Sequence, residues 1–130
     1  MLFLLPGIGL SAQQSMTEEQ QEKQFYDMIE QQVEKYASLL NLEDWQVFYV
    51  DSILTHDYKE MQAELIELNT AKVTFQDAYI RVQDKWSEAT YNAFNRIFTE
   101  AQWAKYLKTG GAKDKKLRDK REAKRNQTGL

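Results

Sequence analysis

The chain has 130 residues, of which 42% are hydrophobic, and a formal net charge of −3. This length allows one domain with a modest core. The chain contains no cysteine, which excludes disulfides, thiol catalysis and thiolate metal sites. No glycine or proline occurs between Gln13 and Thr109. Because an all-β domain needs turn residues about every 8–12 positions, the sequence predicts an all-α protein built from long helices.

The charge is divided unevenly along the chain. Residues 1–104 contain 7 Lys and Arg against 17 Asp and Glu, a net charge of −10, whereas residues 105–130 contain 10 against 3, a net charge of +7. We predict an acidic helical domain over residues 13–109 and a basic tail over residues 110–130. Between Lys113 and Arg125 the tail has one large apolar residue, Leu117. Such a segment buries too little surface to fold alone, so we expect it to be disordered or a frayed helix.

The first twelve residues form a short apolar run that ends in Ser11-Ala12, before the polar Gln13. The run is too short to span a membrane. It is typical of the apolar part and cleavage site of a secretory signal. No basic residue precedes it, which indicates a signal truncated at its start. We therefore expect a signal peptide over residues 1–12 and a periplasmic or secreted protein; the alternative is an apolar segment docked on the core.

The first helix is predicted to begin at Thr17, since Thr17 and Gln20 have the spacing of a capping box. Asn41 is a suitable residue to end it. Between them, apolar residues recur every three or four positions and define one helical face. These residues are Phe25, Ile29, Val33, Tyr36 and Leu40.

The middle of the chain predicts two further long helices, which would form a helical hairpin. The second begins near Glu43 and the third at a cap on Thr74. The predicted core stripe of the second helix is Trp45, Phe48, Tyr49, Ile53, Met61, Leu65 and Leu68, and that of the third is Phe75, Tyr79, Val82, Trp86, Ala89, Ala93, Phe94 and Ile97.

A single long helix is the alternative to the hairpin. Met61, Leu68, Phe75 and Val82 keep a seven-residue spacing through the proposed turn, and such a helix would have to dimerise. In either case a short additional helix begins at Thr99 and is closed by glycines 110–111.

Two segments share one pattern, which is an apolar residue, a capping residue, two further residues and then glutamine. They are Leu42-Glu43-Asp44-Trp45-Gln46 and Phe98-Thr99-Glu100-Ala101-Gln102. The pattern resembles the LTxxQ motif of periplasmic helical proteins of the Spy and CpxP type and of small exported proteins of Bacteroidetes. In the motif the capping residue and the glutamine satisfy backbone N–H groups at a helix start.

The resemblance covers about residues 40–108. Glu43 replaces the threonine of the first copy, and Phe98 replaces the leucine of the second. The resemblance implies an exported helical hairpin, often a cradle-shaped dimer, with chaperone or envelope-stress roles.

Residues that could support catalysis are few. The lone histidine, His56, is followed by Asp57, and a zinc site needs further ligands, usually His or Cys. The sequence has no glycine-rich phosphate loop and no second histidine for a catalytic triad. Carboxylates at helical spacing, such as Glu60 and Glu64, are expected to be solvated. We therefore predict no enzymatic activity, no cofactor and no metal.

Large aromatic side chains are numerous for so small a bundle. Most are expected in the core, but a thin hairpin cannot hide every ring, and exposed apolar patches often mark binding sites. The predicted function is chaperone-like or envelope-stress-related binding of partly unfolded or envelope proteins. The alternative is a structural or regulatory envelope module with one dedicated partner. The candidate binding face is Trp45, Tyr49, Tyr79, Trp86 and Trp103.

The basic tail is a candidate polyanion site. Anionic lipid or lipopolysaccharide is the expected partner, and nucleic acid is not favoured because the tail has no aromatic residue on which bases could stack. Alternatively, the tail folds back on the acidic domain, in the same chain or in a homodimer, or serves only to solubilise the protein. The candidate anion-binding residues are Lys115, Lys116, Arg118, Lys120, Arg121, Lys124 and Arg125.

Overall fold

The computed structural model describes residues 16–127, and all of their regular structure is helical. The prediction of an all-α protein is confirmed. The predicted signal peptide, residues 1–12, lies outside the described residues. Within residues 16–127, no helix has an apolar stretch of the length and hydropathy that crossing a bilayer requires. The elements are α1 (Glu18–Leu40), α2 (Asp44–Thr70), α3 (Gln76–Ile97), α4 (Glu100–Tyr106), a π-helical segment (Leu107–Gly111) and α5 (Ala112–Gln127).

Helix α1 has the predicted boundaries and the predicted buried face. The Thr17 hydroxyl accepts a hydrogen bond from the backbone N–H of Gln20 at 3.1 Å, and the Gln20 side chain accepts one from the backbone N–H of Thr17 at 3.0 Å. Asn41 ends the helix in the left-handed conformation, with φ of 54°, as Asn and Gly commonly do. The buried residues are Ile29, Val33 and Leu40.

Helices α2 and α3 are separate, so the alternative of one long helix is wrong. Lys72 has a φ of 59° and interrupts the helical backbone, although the apolar spacing continues in phase across it. The predicted cap at Thr74 is also wrong. Phe75 is the N-cap of α3, without a side-chain capping bond, and its side chain is exposed rather than part of the predicted stripe.

Side-chain contacts show that α2 and α3 lie antiparallel. Gln46, near the start of α2, donates to the carbonyl of Ile97 at the end of α3. Asp57 accepts from Thr90 near the middle of both helices. Helix α1 packs against α2, and the buried hydrophobic core is Ile29, Val33, Leu40, Val50, Leu54, Phe94 and Phe98.

The rotation of α2 differs from the predicted one at its N-terminal half. Gln46, Val50 and Leu54 point into the protein, while Trp45, Phe48 and Tyr49 are exposed. The predicted core stripe is therefore wrong at these three rings. In this half of α2 apolar residues occupy most sides of the helix, so their spacing does not select a buried face. The hydrogen bonds of Gln46 described below fix the rotation.

The basic tail is a helix, so the prediction of a disordered or frayed segment is wrong. The chain bends at Gly110, which has a φ of 134°, and continues into α5, which lies along α3. Gly111 is buried, and a Cβ atom there would lie 2.5 Å from Cε2 of the Tyr106 ring. The two glycines redirect the helical chain and do not close it.

Candidate functional site

The two copies of the LTxxQ-like motif meet in space through their glutamines. Nε2 of Gln46 donates to Oε1 of Gln102 at 2.7 Å, and Nε2 of Gln102 donates to Oε1 of Gln46 at 3.1 Å. Each Oε1 also accepts the backbone N–H of its own N-cap residue, Glu43 or Thr99, at 2.9 Å. The same amides that cap α2 and α4 therefore join the two helix starts.

Helix α5 rests on an acidic stripe of α3. All three arginines of α5 make more than one contact with a carboxylate of α3. Arg121 donates to both carboxylate oxygens of Asp84, at 2.8 and 2.7 Å, and Arg118 donates twice to Oε1 of Glu88, at 3.2 and 3.1 Å. Arg125 bonds to Asp77 near the start of α3. Arg118 and Arg125 are buried. Charge-assisted pairs of this kind are stronger than neutral hydrogen bonds, and they explain why α5 is helical with so little apolar surface.

These contacts change the acid–base properties of the groups involved. The hydrogen bond from Arg125 holds the pKa of Asp77 below its ordinary value of 3.8. The hydrogen bond to Glu88 raises the pKa of Lys115. Because the pKa of Asp77 is lowered by folding, its contribution to stability is present above pH 3.8 and is lost as the pH falls below that value.

Removing the charges of Asp77 and Asp84 is expected to release α5 from the bundle. The isosteric double variant Asp77→Asn/Asp84→Asn keeps the side-chain shapes and weakens the pairs with Arg121 and Arg125. Amide hydrogen exchange over residues 112–127 should accelerate by roughly tenfold or more, because hydrogen bonds to charged groups are the stronger class. Exchange in α2 should change little.

The control is Glu30→Gln/Glu34→Gln, which makes the same change in net charge at exposed positions of α1. Faster exchange in α5 with this control as well, or unchanged exchange with the α3 variant, would show that the arginine contacts do not hold the helix.

Trp45, Phe48 and Tyr49 form an exposed group, which we call the aromatic patch. Their exposed fractions are 49%, 65% and 49%. The rings of Trp45 and Tyr49 are 6.1 Å apart and those of Phe48 and Tyr49 are 5.6 Å apart, each pair edge to face. The Trp45 indole donates to Oε2 of Glu43 at 2.8 Å. The patch lies opposite the buried face of α2.

The remaining residues of the predicted binding face lie elsewhere. Tyr79 is half-buried, and its hydroxyl donates to the carbonyl of Val73 at 2.7 Å. Trp86 is half-buried and donates to Glu64. Trp103 stacks on Tyr106 against the core. Of the five predicted residues, the structure groups only Trp45 and Tyr49 in the aromatic patch. Phe48 was not among them, although its spacing of three from Trp45 places it on the same side of the helix.

A cleft of about 450 Å³ opens between α1, α2, α3 and α5. Its walls include Tyr36 and Trp86, and two buried charged residues, Asp57 and Arg118, line it. Asp57 accepts from the Thr90 hydroxyl at 2.7 Å and lies 2.8 Å from Nδ1 of His56. Sequence reasoning did not find this buried carboxylate, because its spacing matches that of the neighbouring solvated acids.

The side chain of His56 is 64% exposed, and its ring lies 5.9 Å from that of Trp86. Among the residues that the structure describes, no group of three or more potential ligand side chains is placed to hold a metal ion.

The tail residues predicted to bind anions differ in how far they are exposed. Lys115, Arg118, Arg121 and Arg125 contact acidic side chains of the same chain. The remaining predicted residues, Lys116, Lys120 and Lys124, are exposed on α5. The tail folds back on α3 through its three arginines and Lys115.

No protein-family model, curated protein or solved structure matches this chain.

Proposed function

We propose that this protein is a non-enzymatic, helical binding protein that captures partly unfolded or basic, aromatic-rich protein segments through its aromatic patch. The observation that carries the proposal is the outward direction of Trp45, Phe48 and Tyr49, three adjacent large rings that are about half exposed or more. Large aromatic side chains bury about 150–250 Å² each when they are enclosed. Contiguous exposed apolar surface of this kind commonly marks an interaction site.

The charge around the aromatic patch favours basic clients. Glu43, which caps α2, and Asp44 and Asp51 in its N-terminal part are exposed. A client segment that combines apolar and basic residues would bury the rings and meet these carboxylates. Complementary charge of this kind mainly sets the encounter rate and the choice of partner.

The two LTxxQ-like motifs support a role of the chaperone or envelope-stress type. The proposal includes an exported location, in line with the apolar run over residues 1–12. Binding requires neither a cofactor nor nucleotide hydrolysis, since the client is held by reversible burial of its apolar side chains.

The proposal is tested by light scattering of a chemically unfolded client diluted into buffer with and without the protein. The protein should suppress aggregation at near-stoichiometric ratios. The variant Trp45→Ser/Phe48→Ser/Tyr49→Ser should lose most of this activity, because anchoring aromatic residues contribute about 1–2 kcal/mol or more each to an interface.

The matched control is Tyr26→Ser/Ile66→Ser/Phe75→Ser, which removes three exposed apolar side chains outside the aromatic patch. It should retain the activity. The proposal would be refuted if the protein did not suppress aggregation of several clients, or if both variants lost the activity equally. The first of these results would favour a module with one dedicated partner.

A further inference from the structure

The basic residues of α5 differ in exposure. The three arginines, together with Lys115, contact carboxylates on α3 or on α5 itself. Four other lysines of the helix are exposed. They are Lys113, Lys116, Lys120 and Lys124, and we call them the lysine face.

Helical geometry places the lysine face on one side of α5, away from α3. The four residues follow each other at spacings of three, four and four. At about 100° per residue they fall within an arc of roughly 80° and extend over roughly 16 Å of the helix. The acidic residues of α5, which are Asp114, Asp119 and Glu122, lie outside that arc. The lysine face is therefore a straight strip of one sign of charge.

The arginine contacts favour binding of a partner to the lysine face in two ways. First, they hold α5 as a helix in the free protein, so little ordering is required when a partner binds. Second, Arg121 and Arg118 neutralise Asp84 and Glu88, the carboxylates of the acidic domain nearest to them. A negatively charged partner is therefore less strongly repelled by the domain behind the helix.

We propose that the lysine face docks the protein on an anionic lipid bilayer. A straight row of ammonium groups matches a planar surface of phosphates, on which lysines act as point charges. Leu117, at the edge of the lysine face, is 43% exposed and can enter the headgroup region. Nucleic acid fits less well, because α5 has no aromatic side chain for base stacking and its arginines, the residues suited to paired contacts with bases, already bind carboxylates.

Membrane binding by the lysine face does not depend on the aromatic patch. It also involves the lysine face alone and not every basic residue of the tail. Arg118, Arg121 and Arg125 stabilise the helix, and the lysine face makes the contact. Substituting the arginines should therefore disrupt the structure of α5, whereas substituting the exposed lysines should chiefly weaken membrane binding.

The experiment is co-sedimentation of the full chain with vesicles of phosphatidylcholine alone and of phosphatidylcholine with phosphatidylglycerol, at low and high salt. We expect binding only to the anionic vesicles, weakened by salt. Each lysine near a charged surface contributes about fivefold to partitioning. The variant Lys113→Gln/Lys116→Gln/Lys120→Gln/Lys124→Gln removes four such contributions and should therefore bind roughly 600-fold more weakly, with similar helicity by circular dichroism.

The matched control is Lys23→Gln/Lys35→Gln/Lys59→Gln/Lys72→Gln, which makes the same change in net charge at exposed positions outside α5. It should bind anionic vesicles nearly as well as the unaltered chain. The proposal is overturned if anionic vesicles are not preferred, if both variants lose binding equally, or if an oligonucleotide binds the lysine face more tightly than the vesicles at the same salt concentration.

Discussion

Replacing Gln46 by alanine is expected to lower the free energy of unfolding by about 3 kcal/mol. The Gln46 side chain is 1% exposed and takes part in four hydrogen bonds, with Glu43, Ile97 and, twice, Gln102. Alanine leaves the carbonyl of Ile97 and the amide of Gln102 without this partner. A buried polar group that loses its partner costs about 1–3 kcal/mol. Urea denaturation followed by circular dichroism measures the change.

A double-mutant cycle separates the glutamine pair from the individual caps. Gln102→Ala should also lower the free energy of unfolding. The loss in the double variant should be smaller than the sum of the losses in the single variants, because each single change already breaks the pair. Gln31→Ala, at an exposed position of α1, should change stability by less than about 0.5 kcal/mol. Strictly additive effects would show that the two motif copies act only as separate caps.

Phe94→Ala is expected to lower the free energy of unfolding by about 3–5 kcal/mol, the usual range for a buried phenylalanine. Phe94 is fully buried. Its ring lies 5.0 Å from that of Phe98, 5.3 Å from Tyr36 and 5.6 Å from Tyr106. The cavity would therefore open where α1, α3 and the segment after α3 meet. Thermal and urea denaturation both measure the loss of stability.

The control for Phe94→Ala is Phe75→Ala, which also removes a phenylalanine ring, but at a position that is 64% exposed. Its effect on stability should be small, within about 0.5 kcal/mol. A loss below about 1 kcal/mol for Phe94→Ala would mean that the rings around it do not form a packed core.

The starts of α1 and α4 were the most predictable part of the fold, whereas the predicted cap of α3 at Thr74 was wrong. Thr17 and Thr99 were assigned as caps because a hydroxyl and a glutamine three residues later satisfy backbone N–H groups at close range. Such interactions are local, so their spacing in the sequence is enough. The buried face of α1 was equally clear, since polar residues surround a single apolar stripe.

The rotation of α2 and the structure of α5 depend on partners distant in sequence. Gln46 turns inward because Gln102 lies opposite it, 56 residues later. Helix α5 forms because Asp77, Asp84 and Glu88 present carboxylates to it from α3. The sequence contained the charge complementarity, and folding back on the acidic domain was among the open alternatives, but composition alone suggested disorder.

The candidate site was predictable only in part. The number of rings indicated that some would be exposed, and Trp45 and Tyr49 were among those proposed. Which rings are exposed follows from the rotation of α2, and therefore from Gln46. The position of the lysine face likewise depends on which side of α5 packs against α3. The spacing of charges in α5 does not show this side unless the position of α3 is known.

Fluorescence anisotropy of a labelled peptide tests most directly whether the aromatic patch binds basic, aromatic-rich segments. A peptide of alternating lysine and phenylalanine should bind the unaltered chain in a saturable manner, and a counterpart with glutamate in place of lysine should bind much more weakly. The variant Trp45→Ser/Phe48→Ser/Tyr49→Ser should reduce affinity by at least about tenfold, whereas Tyr26→Ser/Ile66→Ser/Phe75→Ser should not. Equal affinity of the unaltered chain and the aromatic patch variant would contradict the proposed function.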